Sequence, residues 1–310
     1  MTCTVGTLGF SPCSESNNHW KNSDLGLRRS ENPVLEIPVG REFERLIRIY
    51  SYIRRNSIES DEQQDVVWSR FCAEYLPATV DRCLNLPVQT DCNPSDPSSV
   101  MDFPLDNAWL KILVAVQHIP YFAKYLRSLH PSAVMGKQLP QVIAERLLSL
   151  SDRFEERIIG ASGGHPGIED HHMDIAIDAV QLLSTLLTHF SRGSDMDSII
   201  PPQTAARLLP FLAAWKTRHD GQFLGNVSER VYNYLSPSTQ RNPVWRAQSE
   251  AVRRAWKNWL VCGLPTCQVE TGLEACGKCQ TVRYCSPAHQ RAHWNYSMGK
   301  HKLCCFATNY

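Results

Sequence analysis

The segment from Cys262 to Cys305 constrains this chain more than any other, because it holds seven of the twelve cysteines. In order it reads Cys262-x4-Cys267, an eight-residue gap, Cys276-x2-Cys279, then Tyr284-Cys285-x3-His289, then His301-x3-Cys305. Eight thiol and imidazole groups are enough for two closed tetrahedral sites. Zinc takes four such ligands and keeps no open position when its role is structural. The pair Cys276-x2-Cys279 lets two thiolates of one tight turn reach the same ion. Gly277 between them eases that turn through its tolerance of positive φ. A disulfide framework would also use many cysteines, but a two-residue spacing belongs to metal ligands. Met1 to Phe10 shows neither the basic start nor the apolar run of a secretory signal.

The segment resembles a MYND-type zinc finger. The resemblance is carried by Cys276-Gly-Lys-Cys279, Arg283-Tyr284-Cys285-Ser286, Gln290, His293-Trp294 and His301-Lys302-x2-Cys305, over roughly the final sixth of the chain. It implies two cross-braced zinc ions per chain. One would sit on Cys262, Cys267, Cys285 and His289, the other on Cys276, Cys279, His301 and Cys305. It also implies that Gln290 and Trp294 border a shallow groove beside the second zinc that takes short proline-containing peptides. An extended proline segment has little entropy left to lose against an indole wall. Trp294 is equally placed to plug the finger's own small core. The sequence departs from the family pattern in three places: four residues space the first pair where two is usual, His289 stands where cysteine is usual, and six residues separate Trp294 from His301 where two is usual. The third departure leaves Cys304 open as an alternative to Cys305, and His293 as a competitor. Ser286-Pro287 reads as a helix N-cap followed by proline at the first helical position, which projects His289 from the first turn of a short helix.

Charge is uneven along the chain. From 251 to 310 there are eight Lys or Arg and two Asp or Glu, a formal +6, while the rest carries 24 basic and 29 acidic residues. Six thiolates and two zinc ions lower the tail to about +4. A modest positive surface of this size is an ordinary solvated face, and nucleic-acid binding through it is the alternative. No run of eighteen apolar residues is present, so no membrane span is expected. Metal-ligand thiolates point to a reducing compartment, cytoplasm or nucleus.

The body is helical in pattern and predicts an all-α fold, a helical bundle or an armadillo/HEAT-like α-solenoid. Three parts are expected: a poorly ordered arm over 1–35, a helical domain over 36–260 and the finger over 261–310. Phe43, Leu46, Ile47, Tyr50 and Ile53 share one face at helical spacing. Val66, Val67, Phe71 and Tyr75 continue the pattern, then Trp109, Ile112, Leu113 and Val116 up to a break at Pro120. Val142 to Leu150 predicts another helix. Asp174 is the expected N-cap of one that runs to about Phe190 and is apolar nearly all round. Pro201-Pro202 opens a sixth, Val227 to Tyr234 marks a seventh, and Asn242-Pro243 starts the last. Trp256 and Trp259 are expected at the junction with the finger. Long loops are expected over 85–104, 154–173 and 191–202.

The loop 160–174 holds Gly163-Gly164-His165-Pro166-Gly167 and Glu169-Asp170-His171-His172. Asp170-His171-His172 matches the short signature of the DHH phosphoesterases, but the acidic motifs and α/β core of that family are missing. No Walker A, Gly-x-Ser-x-Gly or Gly-x-Gly-x-x-Gly motif occurs. Nor are the Asn-His-x-Cys and Gly-x-Gly features of SET-domain methyltransferases present. No catalytic residue is assigned, and an enzyme site in the helical body is the rival reading. The expected function is zinc-dependent protein–protein interaction, of a scaffold or transcriptional co-regulator kind.

Overall fold

The computed structural model describes residues 61–86, 104–160, 166–190, 199–256, 261–296 and 301–310. Among these residues there are eleven α-helices, one 3-10 helix (Pro131–Gln138) and one two-stranded sheet. No helix among them is long and apolar enough to cross a membrane. The contacts divide the chain into two units. One takes the residues to Arg82, then His118–Gly136 and Arg254–Tyr310; the other takes Cys83–Gln117 and Lys137–Arg253.

In the second unit, α2 (Ala108–Val116) starts at Asn107, whose side chain accepts from the Leu110 amide at 2.9 Å. Such a cap satisfies one of the orphan amides of a first turn. Then come α4 (Leu139–Gly160), α5 (Pro166–Phe190), α6 (Pro202–Arg218), α7 (Phe223–Leu235), the short α8 (Pro237–Gln240) and α9 (Pro243–Trp256). Helix α5 packs against α2, α4 and α7. Its Ile175, Ala176, Ala179, Val180, Leu182, Leu183, Leu186 and Leu187 are all buried, as an all-round apolar helix should be. Among its polar residues, Thr185 donates to Gln117 at 2.5 Å and Thr188 to the Tyr234 hydroxyl at 3.1 Å. Arg146 of α4 donates to the carbonyls of Cys83 (2.6 Å) and Leu84 (2.8 Å), two of the orphan acceptors of the helix that ends at Leu84.

The expected Asp174 cap and the long 154–173 loop are corrected by the structure. Helix α5 begins at Pro166, and α4 runs on to Gly160. Proline at a first helical position costs nothing. The helix proposed over Phe43 to Ile53, the arm, the junction Trp259 and most of the 85–104 and 191–202 loops lie outside the described residues.

The turn from α6 to α7 sets a tight backbone crossing. A Cβ on Gly225 would lie 2.1 Å from the His219 carbonyl oxygen and 2.7 Å from its carbon. Gly225→Ala is therefore expected to push two backbones apart at a cost of about 1–3 kcal/mol. In a chain of this size that lowers the melting midpoint by several degrees, roughly 2–4 °C per kcal/mol. Thermal denaturation followed by circular dichroism checks it, and an unchanged midpoint would mean the crossing is slack.

In the first unit, α1 (Asp61–Leu84) runs through Pro77, two residues beyond the last apolar position expected for it. Proline removes one helical hydrogen bond. The helix is carried through by the buried Phe71, Cys72, Tyr75, Leu76 and Val80. Helix α3 (Pro120–Arg127) opens with Pro120 at its first position, so the proline expected as a break starts a helix. Strands β1 (Glu274–Ala275) and β2 (Arg283–Tyr284) pair antiparallel, Glu274 opposite Tyr284. Helices α10 (Pro287–Trp294) and α11 (His301–Cys304) follow.

The tail after α11 is sewn onto α1 and α3. The Tyr310 hydroxyl donates to the Cys72 carbonyl at 3.0 Å, and its ring meets Tyr125 edge-on at 5.1 Å. Arg70 lies over the Phe306 ring at 5.9 Å and Lys124 over Tyr310 at 5.5 Å.

Candidate metal centres

The C-terminal Cys and His residues gather into two sets, Cys262, Cys267, Cys285 and His289 in one and Cys276, Cys279, His301 and Cys305 in the other. In each set the ligand atoms lie within 4.8 Å of one another. In chain order the first and third groups share a site, and the second and fourth share the other. That interleaving is a cross-brace, and neither site closes until distant segments have met.

Local structure explains how each ligand is aimed. The Cys267 amide donates to the Leu264 carbonyl and the Cys262 amide to Val269, both at 2.8 Å, which folds the long first spacer back on itself. Gly263 lies against the hairpin, donating to Arg283 at 2.7 Å; a Cβ there would meet Val282 Cγ1 at 2.2 Å. In the second pair the Gln280 amide closes on the Cys276 carbonyl at 2.9 Å. The left-handed residue of this turn is Gln280, with φ of 59°, and not Gly277. The Ser286 hydroxyl accepts from the His289 amide at 3.2 Å and caps α10, which places His289 in the first turn as expected.

The spacing fits zinc. A tetrahedral ion with Zn–S of about 2.3 Å and Zn–N of about 2.0–2.1 Å separates two sulfurs by about 3.8 Å, and sulfur from nitrogen by about 3.6 Å. The Sγ atoms of Cys267 and Cys285 are 3.8 Å apart, and those of Cys276 and Cys305 are 3.7 Å apart. Cys262 Sγ lies 3.6 Å from His289 Nδ1, and Cys279 Sγ lies 3.6 Å from His301 Nε2. One pair, Cys285 and His289 Nδ1, is closer at 3.1 Å. These sulfur separations are far longer than the roughly 2.05 Å of a disulfide.

The surroundings favour charge on some of the sulfurs, while burial and neighbouring thiols raise Cys285, and the neighbouring Cys279 and burial raise Cys305. Donation from the Cys305 thiol, then from His301 and from Thr281 at 3.2 Å, overcomes burial and holds Cys279 down to about 3. Burial opposes ionisation of Cys262, but the Cys285 and Leu264 amides and His289 outweigh it and lower that thiol to about 7. His301 is raised despite its burial, by the Cys279 and Cys276 sulfurs. Each centre therefore offers a home for a positive ion. All four groups of the second set are buried, whereas Cys285 and His289 of the first are half-buried.

Cys305 belongs to the second set and Cys304 does not. His293 stays out of both sets. Its Nδ1 meets the Tyr284 hydroxyl at 3.1 Å, and its ring stacks on His301 with centroids 5.6 Å apart. Gln290 Nε2 donates to Cys276 Sγ at 3.6 Å. Trp294 is 36% exposed and meets His301 edge-on at 5.8 Å. Away from the finger, Asp170 and His171 fall within α5, and His172 is buried edge-on against Phe154 at 6.2 Å. Among the described residues no third cluster of metal-ligand type occurs.

Two interleaved, closed Cys/His sites on a short hairpin and two small helices define a structural two-zinc finger. Residues 262–305 match the family model of the MYND finger, so the resemblance expected from the sequence holds over that segment. No curated protein and no solved structure matches the chain. The residues present fit two zinc ions. Bound there, zinc would supply folding energy and not reactivity, since no ligand position is left open.

Proposed function

We propose that the chain is a zinc-dependent protein-interaction protein whose finger grips short proline-containing peptides beside the second metal centre. Residues 261–310 carry the recognition surface, and the helical domain over 36–260, a bundle or armadillo/HEAT-like stack, supports it as a scaffold or co-regulator in cytoplasm or nucleus. The carrying observation is the pairing of Gln290 and Trp294. They lie four apart on α10, hence on one face. Trp294 is among the large apolar side chains left exposed in the described residues. Because the Gln290 Nε2 is engaged by the Cys276 sulfur, its Oε1 is left to accept from a peptide amide. A flat indole and an oriented carbonyl are what an extended proline segment needs.

The test uses the full chain loaded with zinc against a library of proline-containing peptides on a biosensor surface. Weak binding is expected, in the micromolar range or above, given so small a contact. Trp294→Ala should abolish it with both zinc ions retained. A wild-type chain that binds no member of the library, or a variant that binds as well as wild type, rejects the groove.

A further inference from the structure

The second metal centre is completed from outside the finger. Two side chains on one face of α3, Tyr121 and Lys124, reach the backbone on either side of the ligand Cys305 and the carbonyl of the ligand Cys279. The Tyr121 hydroxyl lies 2.8 Å from the Cys304 carbonyl oxygen and 3.0 Å from that of Phe306, and it accepts from the Phe306 amide at 2.6 Å. Both peptide units flanking Cys305 are thus held by a single buried oxygen. Lys124 donates to the Cys279 carbonyl at 3.1 Å and to the Thr308 hydroxyl at 2.6 Å. The Cys279 carbonyl belongs to the peptide unit that leads into Gln280, the left-handed residue of the turn. Such a conformation costs about 1–2 kcal/mol without glycine and persists only where the surroundings hold it.

Charge points the same way. Three thiolates and one neutral imidazole around a divalent ion leave a net −1. In the second centre that charge is buried, and Lys124, itself only 9% exposed, is a cation placed beside it. Partners of this kind orient metal ligands, and their loss costs about 10–100-fold in affinity.

We infer that Tyr121 and Lys124 are positioning residues of the second zinc centre, so that this ion is held by α3 as well as by the finger. The two centres then differ in kind. The second joins the finger to a helix some 180 residues away in sequence.

The experiment uses the full chain with two zinc ions bound, in buffers of graded free zinc. Thiol trapping read by mass spectrometry reports each cysteine separately. Tyr121→Phe and Lys124→Met are each expected to raise the free zinc that protects Cys279 and Cys305 by about 10–100-fold. Protection of Cys262, Cys267 and Cys285 should not move. Tyr310→Phe is the comparison for mere loosening, because it cuts the bond to Cys72 without touching a ligand. It should leave both centres unchanged. Equal shifts at the two centres, no shift at either, or a Tyr310→Phe shift as large as that of Tyr121→Phe would overturn the assignment. Should Tyr121→Phe fail to fold, Lys124→Met carries the same comparison by itself.

Discussion

Stripping the metal from the purified chain is expected to unfold residues 262–305 and leave most of the helical signal intact. Two zinc ions per chain should be found beforehand by elemental analysis. Binding at such closed sites contributes on the order of 10–16 kcal/mol at neutral pH, far more than a two-residue hairpin and two short helices supply by themselves. The second unit, with α4 to α7, contains no ligand and should keep its ellipticity. The half-buried first centre should lose its ion to a chelator before the fully buried second one. Acid acts in the same direction, because protons compete for the sulfurs. Cys276→Ser should bring the content to one zinc per chain. Cys305→Ser should do the same and Cys304→Ser should not, since only Cys305 lies in the cluster. One zinc or none in the wild-type chain would sink the cross-brace.

Trp109→Ala is expected to be the most damaging single change in the second unit. Its side chain is completely buried on α2, the helix that Asn107 caps and that packs on α5. Truncating a buried tryptophan typically costs about 3–5 kcal/mol, because the transfer energy is lost and the void relaxes only in part. At roughly 2–4 °C per kcal/mol the melting midpoint should fall by on the order of ten degrees or more. Trp109→Phe should cost much less, since it removes only part of the volume. It also removes an indole N–H that is buried with no hydrogen-bond partner among the described residues. A midpoint lowered equally by both variants would mean that the indole is held by something other than packing.

The metal ligands were legible in the sequence because metal chemistry is local in its grammar. Two thiols two residues apart, a Ser-Pro start ahead of His289, and His301-x3-Cys305 each announce a ligand from short range. Cys305 could not be told from Cys304 in that way. Both follow His301 at a workable distance, and only the fold shows which one turns toward Cys276. The helices with clear 3.6-residue periods were legible for the same reason, as α2, α6 and α7 illustrate. Helix α5 is legible too, but with Asp174 as its cap the pattern starts it nine residues late. The glycines and histidines around 163–172 look like a loop, while Pro166 and the acidic pair after it are compatible with a first helical turn. Gly277 invited the left-handed position on propensity alone, yet Gln280 takes it.

By itself, then, the sequence determined that the chain is mostly helical and ends in a closed two-zinc finger, since helical periodicity and ligand spacing are properties of neighbouring residues. Only the tertiary structure decided that Tyr121, Lys124 and Tyr310 are companions. Nothing in the local pattern of α3 distinguishes Tyr121 from an ordinary core tyrosine or Lys124 from a solvated lysine. Their partners are backbone carbonyls, amides and a hydroxyl far along the chain, and backbone groups leave no residue-type signal for a sequence to show. A buried ammonium becomes affordable only where folding brings carbonyl oxygen and thiolate charge to it, which is a property of the assembled unit.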